Sequence, residues 1–287
     1  MCDEATLADD IATISRRRFG TLAGAAVVAS GCSGTAVIAA SKKRLVEATV
    51  NVTTPDGTAD CFFVHPVKGK HPGVILWPDI GGLRDSFKEM ARRLASEGYA
   101  VLAVNQFYRG GKAPVLTSFA EWRTPEGKAK LAPMIAQINA EGITRDAKAF
   151  VVFLDKQKAV NTRRGIGSQG YCMGGPFTVR TAAAAPNRVR AAASFHGGGL
   201  VGDKPDSPQN LLAVTKASYL IAVARGDDTR APTDKDMFRA AAAAAGRTAE
   251  IEVYAAEHGW TVPDSPVYDK PEAERAWTRL LALYSKL

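Results

Sequence analysis

Apolar and polar residues alternate along two runs near the start of the patterned chain, Leu45–Thr53 and Thr58–His65, separated by Pro55-Asp56-Gly57. Period-two alternation around a turn tripeptide predicts an antiparallel hairpin. The pattern then changes. Gly73–Trp77 and Ala100–Val104 are unbroken apolar runs, as expected of strands buried on both faces. Between them, Phe87, Met90, Ala91 and Leu94 recur at helical spacing from Arg84 to Glu97, and Gly98 closes the helix. Residues 105–135 contain Gly110-Gly111, Pro114, Pro125 and Pro133 and read as irregular. Thr144–Lys158 is again amphipathic. Gly165–Tyr171, Val189–Phe195, Tyr219–Ala224 and Ala249–Tyr254 read as further strands with helices between them, and a last helix runs from Pro271 to the C-terminus. This alternation predicts βαβ units: one α/β domain over 41–287, with a mostly parallel central sheet flanked by helices and an N-terminal antiparallel hairpin.

The segment 1–40 stands apart. Ser15-Arg16-Arg17-Arg18-Phe19 precedes a small and apolar stretch beginning at Thr21, and resembles the bacterial twin-arginine export signal, Ser/Thr-Arg-Arg-x-Phe. The stretch is too short and too rich in Gly and Ala to span a bilayer as a stable helix. A periplasmic or otherwise exported protein is therefore expected, with cleavage after Ala40. Alternatively Cys32, behind Ala29-Ser30-Gly31, becomes a lipid anchor. No other membrane contact is expected. Cys61 and Cys172 remain in the mature chain, and nothing in the sequence pairs them.

Composition narrows the classes. At 46% hydrophobic and 23% charged residues the chain is not intrinsically disordered, and four cysteines in 287 residues do not make a disulfide scaffold. The net charge of +8 comes from 37 Lys plus Arg against 29 Asp plus Glu, scattered and not clustered. That describes a solvated basic surface, with no nucleic-acid partner. Four histidines, with neither His-Glu-x-x-His nor Cys-x-x-Cys, give no expectation of a metal.

Two glycine motifs overlap. Gly165-Ile-Gly167-Ser-Gln-Gly170 spells the dinucleotide fingerprint, but the residues before it make a poor strand and no acidic residue follows at ribose distance. No cofactor is expected. Gly170-Tyr171-Cys172-Met173-Gly174-Gly175 ends an apolar strand and precedes a helix, which is the nucleophile-elbow pattern with Cys in the usual Ser place. A helix N-terminus favours thiolate over thiol there. A cysteine nucleophile needs a base, and the base needs an orienting acid. Asp227-Asp228 follows the Tyr219–Ala224 strand and His258 follows the Ala249–Tyr254 strand, in the order nucleophile, acid, histidine. Only one of the two adjacent aspartates can face the imidazole. A binding or scaffold protein on the same frame is the competing reading.

On these residues the chain resembles the dienelactone hydrolase family of the α/β-hydrolase superfamily, over roughly 45–287, through its strand order, its Gly-Tyr-Cys-Met-Gly-Gly elbow and its Ala-Glu-His-Gly histidine loop. The resemblance implies a monomeric hydrolase of small esters or lactones, with a Cys-Asp-His triad and a thioester acyl-enzyme. The family's Gly-x-Asp-x-x-x-Pro loop places the acid on Asp228, four residues before Pro232. Asp79 falls where the family has an acid that holds the resting thiol, and the Ile80 and Met173 amides correspond to its oxyanion hole. Of two family arginines that bind a substrate carboxylate, Tyr108-Arg109 preserves the first with a shift of one residue, and the second position is Val262. A less acidic acyl group follows. Trp122 and Trp260 are expected to line an apolar pocket, and His196-Gly197-Gly198-Gly199 reads as a flexible loop.

Overall fold

The computed structural model describes residues 44–287. The export motif at 15–19, the cleavage point after Ala40 and the candidate lipid anchor Cys32 all lie outside the described residues. The hairpin forms as β1 (Leu45–Thr54) and β2 (Gly57–Pro66), paired from Leu45↔Pro66 to Thr54↔Gly57. The chain continues through β3 (Gly73–Trp77), α1 (Asp85–Glu97), β4 (Ala100–Ala103), α2 (Phe119–Trp122), α3 (Pro125–Ile135) and α4 (Ala140–Lys156). Then come β5 (Ile166–Tyr171), α5 (Gly175–Ala184), β6 (Val189–Phe195), α6 (Pro208–Leu211), β7 (Ser218–Ala224), α7 (Arg225–Arg230), α8 (Asp234–Ala244), β8 (Ala249–Tyr254) and α9 (Lys270–Tyr284).

The eight strands form one sheet in the order β1-β2-β4-β3-β5-β6-β7-β8. Pairings β1–β2 and β2–β4 are antiparallel, and the rest are parallel. Strands β3, β4 and β5 are buried at every position, because helices cover both faces of the sheet. Phe150 of α4, Phe177 of α5 and Phe238 of α8 pack on one face. Phe87 and Leu94 of α1 pack on the other with Leu280 and Tyr284 of α9. Gly98, at φ 110°, closes α1 in the left-handed region where a side chain is disfavoured.

The segment 105–135 differs from the irregular run expected of it. Pro125 occupies the first turn of α3, where its missing N–H costs nothing, and Thr124 caps the helix by accepting from the Gly127 amide at 3.0 Å. Pro133 sits inside the same helix. Asn139 caps α4 likewise, accepting from the Gly142 amide at 2.8 Å, so this helix starts four residues earlier than its apolar pattern suggests. The letters of the dinucleotide fingerprint fall largely within β5 and do not form a strand-to-helix turn.

Chain order reverses around β3, which has β4 on one side and β5 on the other. A crevice outside the carboxyl ends of the strands is expected at such a switch point. The elbow lies there.

Candidate active site

Cys172 directly follows β5 and opens a single 3-10 turn, Cys172–Gly174, that leads into α5. Its φ of 51° is left-handed, a strained conformation for a residue with a side chain. The turn is tight enough that a Cβ on Gly170 would collide with the Gly174 carbonyl oxygen. This is the steric reason for the glycine two residues before the cysteine. The thiol is half-buried and that of Cys61 fully buried, and neither is in a disulfide.

Beyond β8, His258 lies in the loop with its side chain 35% exposed. Its Nδ1–H donates to Asp227 Oδ2 at 2.6 Å, which leaves Nε2 for the elbow. Burial opposes charge on this imidazole. Hydrogen bonds and charges from Asp227 and Cys172 outweigh that penalty and lift its pKa to about 10. The expected acid, Asp228, is not the partner. It accepts from Lys235 Nζ at 2.6 Å. Both aspartates lie in α7, where successive side chains point about 100° apart, so only Asp227 reaches the histidine.

The loop after β3 abuts the elbow, since a Cβ on Gly174 would stand 2.5 Å from the Pro78 carbonyl oxygen. This brings the segments carrying Ile80 and Met173 together. Gln106, which the sequence did not single out, donates through Nε2 to the Asp79 carbonyl at 2.8 Å, and the Gly82 amide donates to the same oxygen at 3.0 Å. In a trans peptide the N–H points opposite to the C=O, so these two bonds also orient the Ile80 N–H.

Asp79 does not stand free to hold the thiol. Its two oxygens accept from Arg84 Nη1 and Nη2 at 2.7 and 3.0 Å, and the Gly81 amide donates to Oδ1 at 2.8 Å. Arg84 is completely buried and also grips Asp264, Nε to Oδ2 at 2.7 Å and Nη2 to Oδ1 at 2.8 Å. Asp264 in turn accepts from the Phe119 amide at 2.9 Å. One guanidinium thus joins the loop after β3, the histidine loop and the start of α2. No local pattern signals this: Arg84 and Asp264 are 180 residues apart.

Tyr108 and Arg109 also serve elsewhere than expected. The Tyr108 hydroxyl donates to Asp146 Oδ1 at 2.7 Å, and Arg109 makes two bonds of 2.8 Å to the same buried carboxylate. Arg109 also donates to Asp56 at 2.6 Å, as does Arg145 at 2.7 Å. These groups brace the hairpin turn against α4, and the Arg109 charge is compensated within that network.

The two tryptophans separate. Trp122 is half-buried in a small apolar cluster with Phe107, Leu116, Leu131 and the Met173 side chain, so α2 and α3 lie against the elbow. Trp260 is fully buried. It stacks on Tyr254 with ring centroids 5.1 Å apart and sets an edge contact of 5.2 Å against His196.

His196 is the residue that sequence reasoning passed over. The first position of the Gly-rich run is buried, at a left-handed φ of 42°. Its Nδ1 accepts from the Cys172 backbone N–H at 3.1 Å, its Nε2 lies 2.9 Å from the Thr261 hydroxyl, and its ring centroid is 5.0 Å from that of His258. Burial first, and then the neighbouring His258, push its pKa well below the ordinary histidine value, so the ring stays neutral. The only sequence signal was a histidine at a strand end with glycines after it.

A model of the dienelactone hydrolase family matches residues 59–287. A protein of Methylorubrum extorquens named "Putative carboxymethylenebutenolidase" is 27% identical over 277 residues, covering 93% of this chain and 91% of its own. The crystal structure titled as a "Putative Dienelactone Hydrolase" from Klebsiella pneumoniae superposes with a TM-score of 0.73 at 23% identity, over 85% of this chain and all of the other. A dienelactone hydrolase-like promiscuous phosphotriesterase from metagenomic libraries reaches a TM-score of 0.69 at 23% identity, over 85% of this chain and 98% of its own. At these identities the two structures speak for the α/β-hydrolase fold alone.

Proposed function

The chain belongs to the dienelactone hydrolase family of hydrolases, and from that premise we propose that it hydrolyses small neutral esters or lactones through a Cys172–His258–Asp227 triad. The supporting observation is the His258–Asp227 hydrogen bond on the same imidazole that faces Cys172. The Cys172 thiolate attacks the acyl carbon while its proton resides on His258. As the S–C bond forms, the carbonyl electrons move onto oxygen, where the Ile80 and Met173 amides receive them. The tetrahedral intermediate collapses by breaking the C–O bond, and His258 Nε2 passes its proton to the leaving alcohol. Water, deprotonated by His258, then cleaves the thioester and returns the thiol.

Charge supports a neutral acyl group. Arg84 is held between two carboxylates, Arg109 between Asp146 and Asp56, and the position of the family's second arginine is the buried Val262. These groups offer a substrate carboxylate no uncompensated cation. The twin-arginine-like motif at 15–19 supports export of this hydrolase, with residues 41–287 as its mature domain.

Rapid quenching of the purified chain with p-nitrophenyl acetate tests the chemistry. An acetyl group on the Cys172 peptide, and loss of turnover in Cys172→Ala, are expected. Undiminished turnover in Cys172→Ala would overturn the reading. Fusing residues 1–43 to a reporter, with Arg16 and Arg17 changed to Lys, tests export.

A further inference from the structure

We propose that His196 is a positioning residue for the nucleophile: a buried imidazole whose Nδ1 lone pair holds the Cys172 backbone N–H. The inference rests on the thiol reading of Cys172 and extends it to a residue outside the triad. A backbone N–H only donates, so the 3.1 Å bond to Nδ1 requires that nitrogen to be unprotonated. Nε2 then carries the ring's one proton and donates to Thr261 Oγ1. This fixes one tautomer from both sides.

Thr261 lies three residues beyond His258, so the chain Cys172 N–H to His196 to Thr261 joins the elbow to the histidine loop through a rigid ring. The elbow residue is itself strained at φ 51°, and a strained residue persists only where surrounding bonds over-determine it. The His196 acceptor is such a bond. It also ties up the Cys172 amide, which leaves the following amide, that of Met173, to face a developing oxyanion. Trp260 sets an edge contact against the ring, which is buried from water.

Paired substitutions separate the acceptor from the packing. His196→Asn places a carbonyl oxygen near the Nδ1 position, tolerates left-handed φ and cannot reach Thr261. His196→Gln places its amide near the Nε2 position and loses the acceptor for Cys172. The expected result is an Asn variant within about tenfold of wild type, and a Gln variant about 100-fold lower in kcat with little change in KM. The Gln variant should also alkylate more slowly at Cys172 with iodoacetamide, a reaction that needs the thiol and no ester turnover. Equal loss in both variants, or equal retention, would overturn the proposal. Spectra of wild-type protein labelled with ¹⁵N-histidine give a second readout that needs no variant. They should show His196 with Nδ1 bare and Nε2 protonated across neutral pH, and a proton on Nδ1 would overturn the assignment. Full turnover by Cys172→Ala would instead defeat the parent reading, whatever His196 shows.

Discussion

His258 and Asp227 face one another across 2.6 Å, Nδ1–H to Oδ2, and the adjacent Asp228 turns to Lys235. Two neighbouring carboxylates of the same chemistry thereby acquire different work. One fixes the imidazole tautomer, and the other closes a surface ion pair. Asp227→Asn should lower kcat on a small activated ester by about 10³-fold or more. Asp228→Asn should stay within about threefold, since a partly exposed pair contributes about 1 kcal/mol or less. Steady-state kinetics of the two variants decides between them, and a reversed order would return the acid role to Asp228.

The two cysteines of the described chain should differ sharply in reactivity. Cys61 is 1% exposed, and burial pushes its pKa up to about 12, whereas Cys172 is half-buried beside His258. Brief treatment of native protein with iodoacetamide should label Cys172 alone, and Cys61 should react only after unfolding. Peptide mass spectrometry reads both sites in one digest.

Arg84→Met should be more harmful to the fold than its apolar surroundings suggest. It leaves Asp79 buried without a counter-charge and releases Asp264 from the same partner. Breaking one side of a buried ion pair costs about 3–5 kcal/mol. Urea unfolding measures the loss. The double variant Arg84→Met with Asp79→Asn should recover part of it, because the stranded charge is gone.

Stability should fall on the alkaline side through His258. A histidine whose folded pKa is raised from 6.5 to about 10 contributes its full stabilisation below pH 6.5 and loses it as pH climbs through 10. Asp227→Asn removes one source of the rise and should flatten this decline. Unfolding free energies below pH 6.5 and near pH 10 for the two proteins test the sign as well as the source.

Much of the candidate site's geometry was legible because its constraints are local. Gly170 and Gly174 flank the cysteine for steric reasons that a five-residue pattern carries, and His258 follows from its place after the last strand. The strands were legible for a similar reason, since the apolar runs Gly73–Trp77 and Val189–Phe195 and the alternating run Ala249–Tyr254 mark their own ends. What stayed hidden was directional or distant. Choosing Asp227 over Asp228 needs the rotation of α7, which a loop reading of that segment does not contain. The use of Asp79 depends on Arg84 and Asp264, which meet only in the folded chain. Arg109 matched a family position in sequence, yet the hairpin turn supplies Asp56 and α4 supplies Asp146 to claim it. His196 carries only a weak local signal, because its hydrogen bonds go to the cysteine of the elbow and the threonine of another loop.

The pairing of Arg84 with two carboxylates has a consequence for the end of the reaction cycle. Asp79, Arg84 and Asp264 together carry one net negative charge, directly beside the loop that presents the Ile80 amide. Hydrolysis turns an uncharged ester into a carboxylate. On the proposed reaction, the ion cluster that holds these loops in place adds no spare cation beside the Ile80 amide to retain the acid that forms.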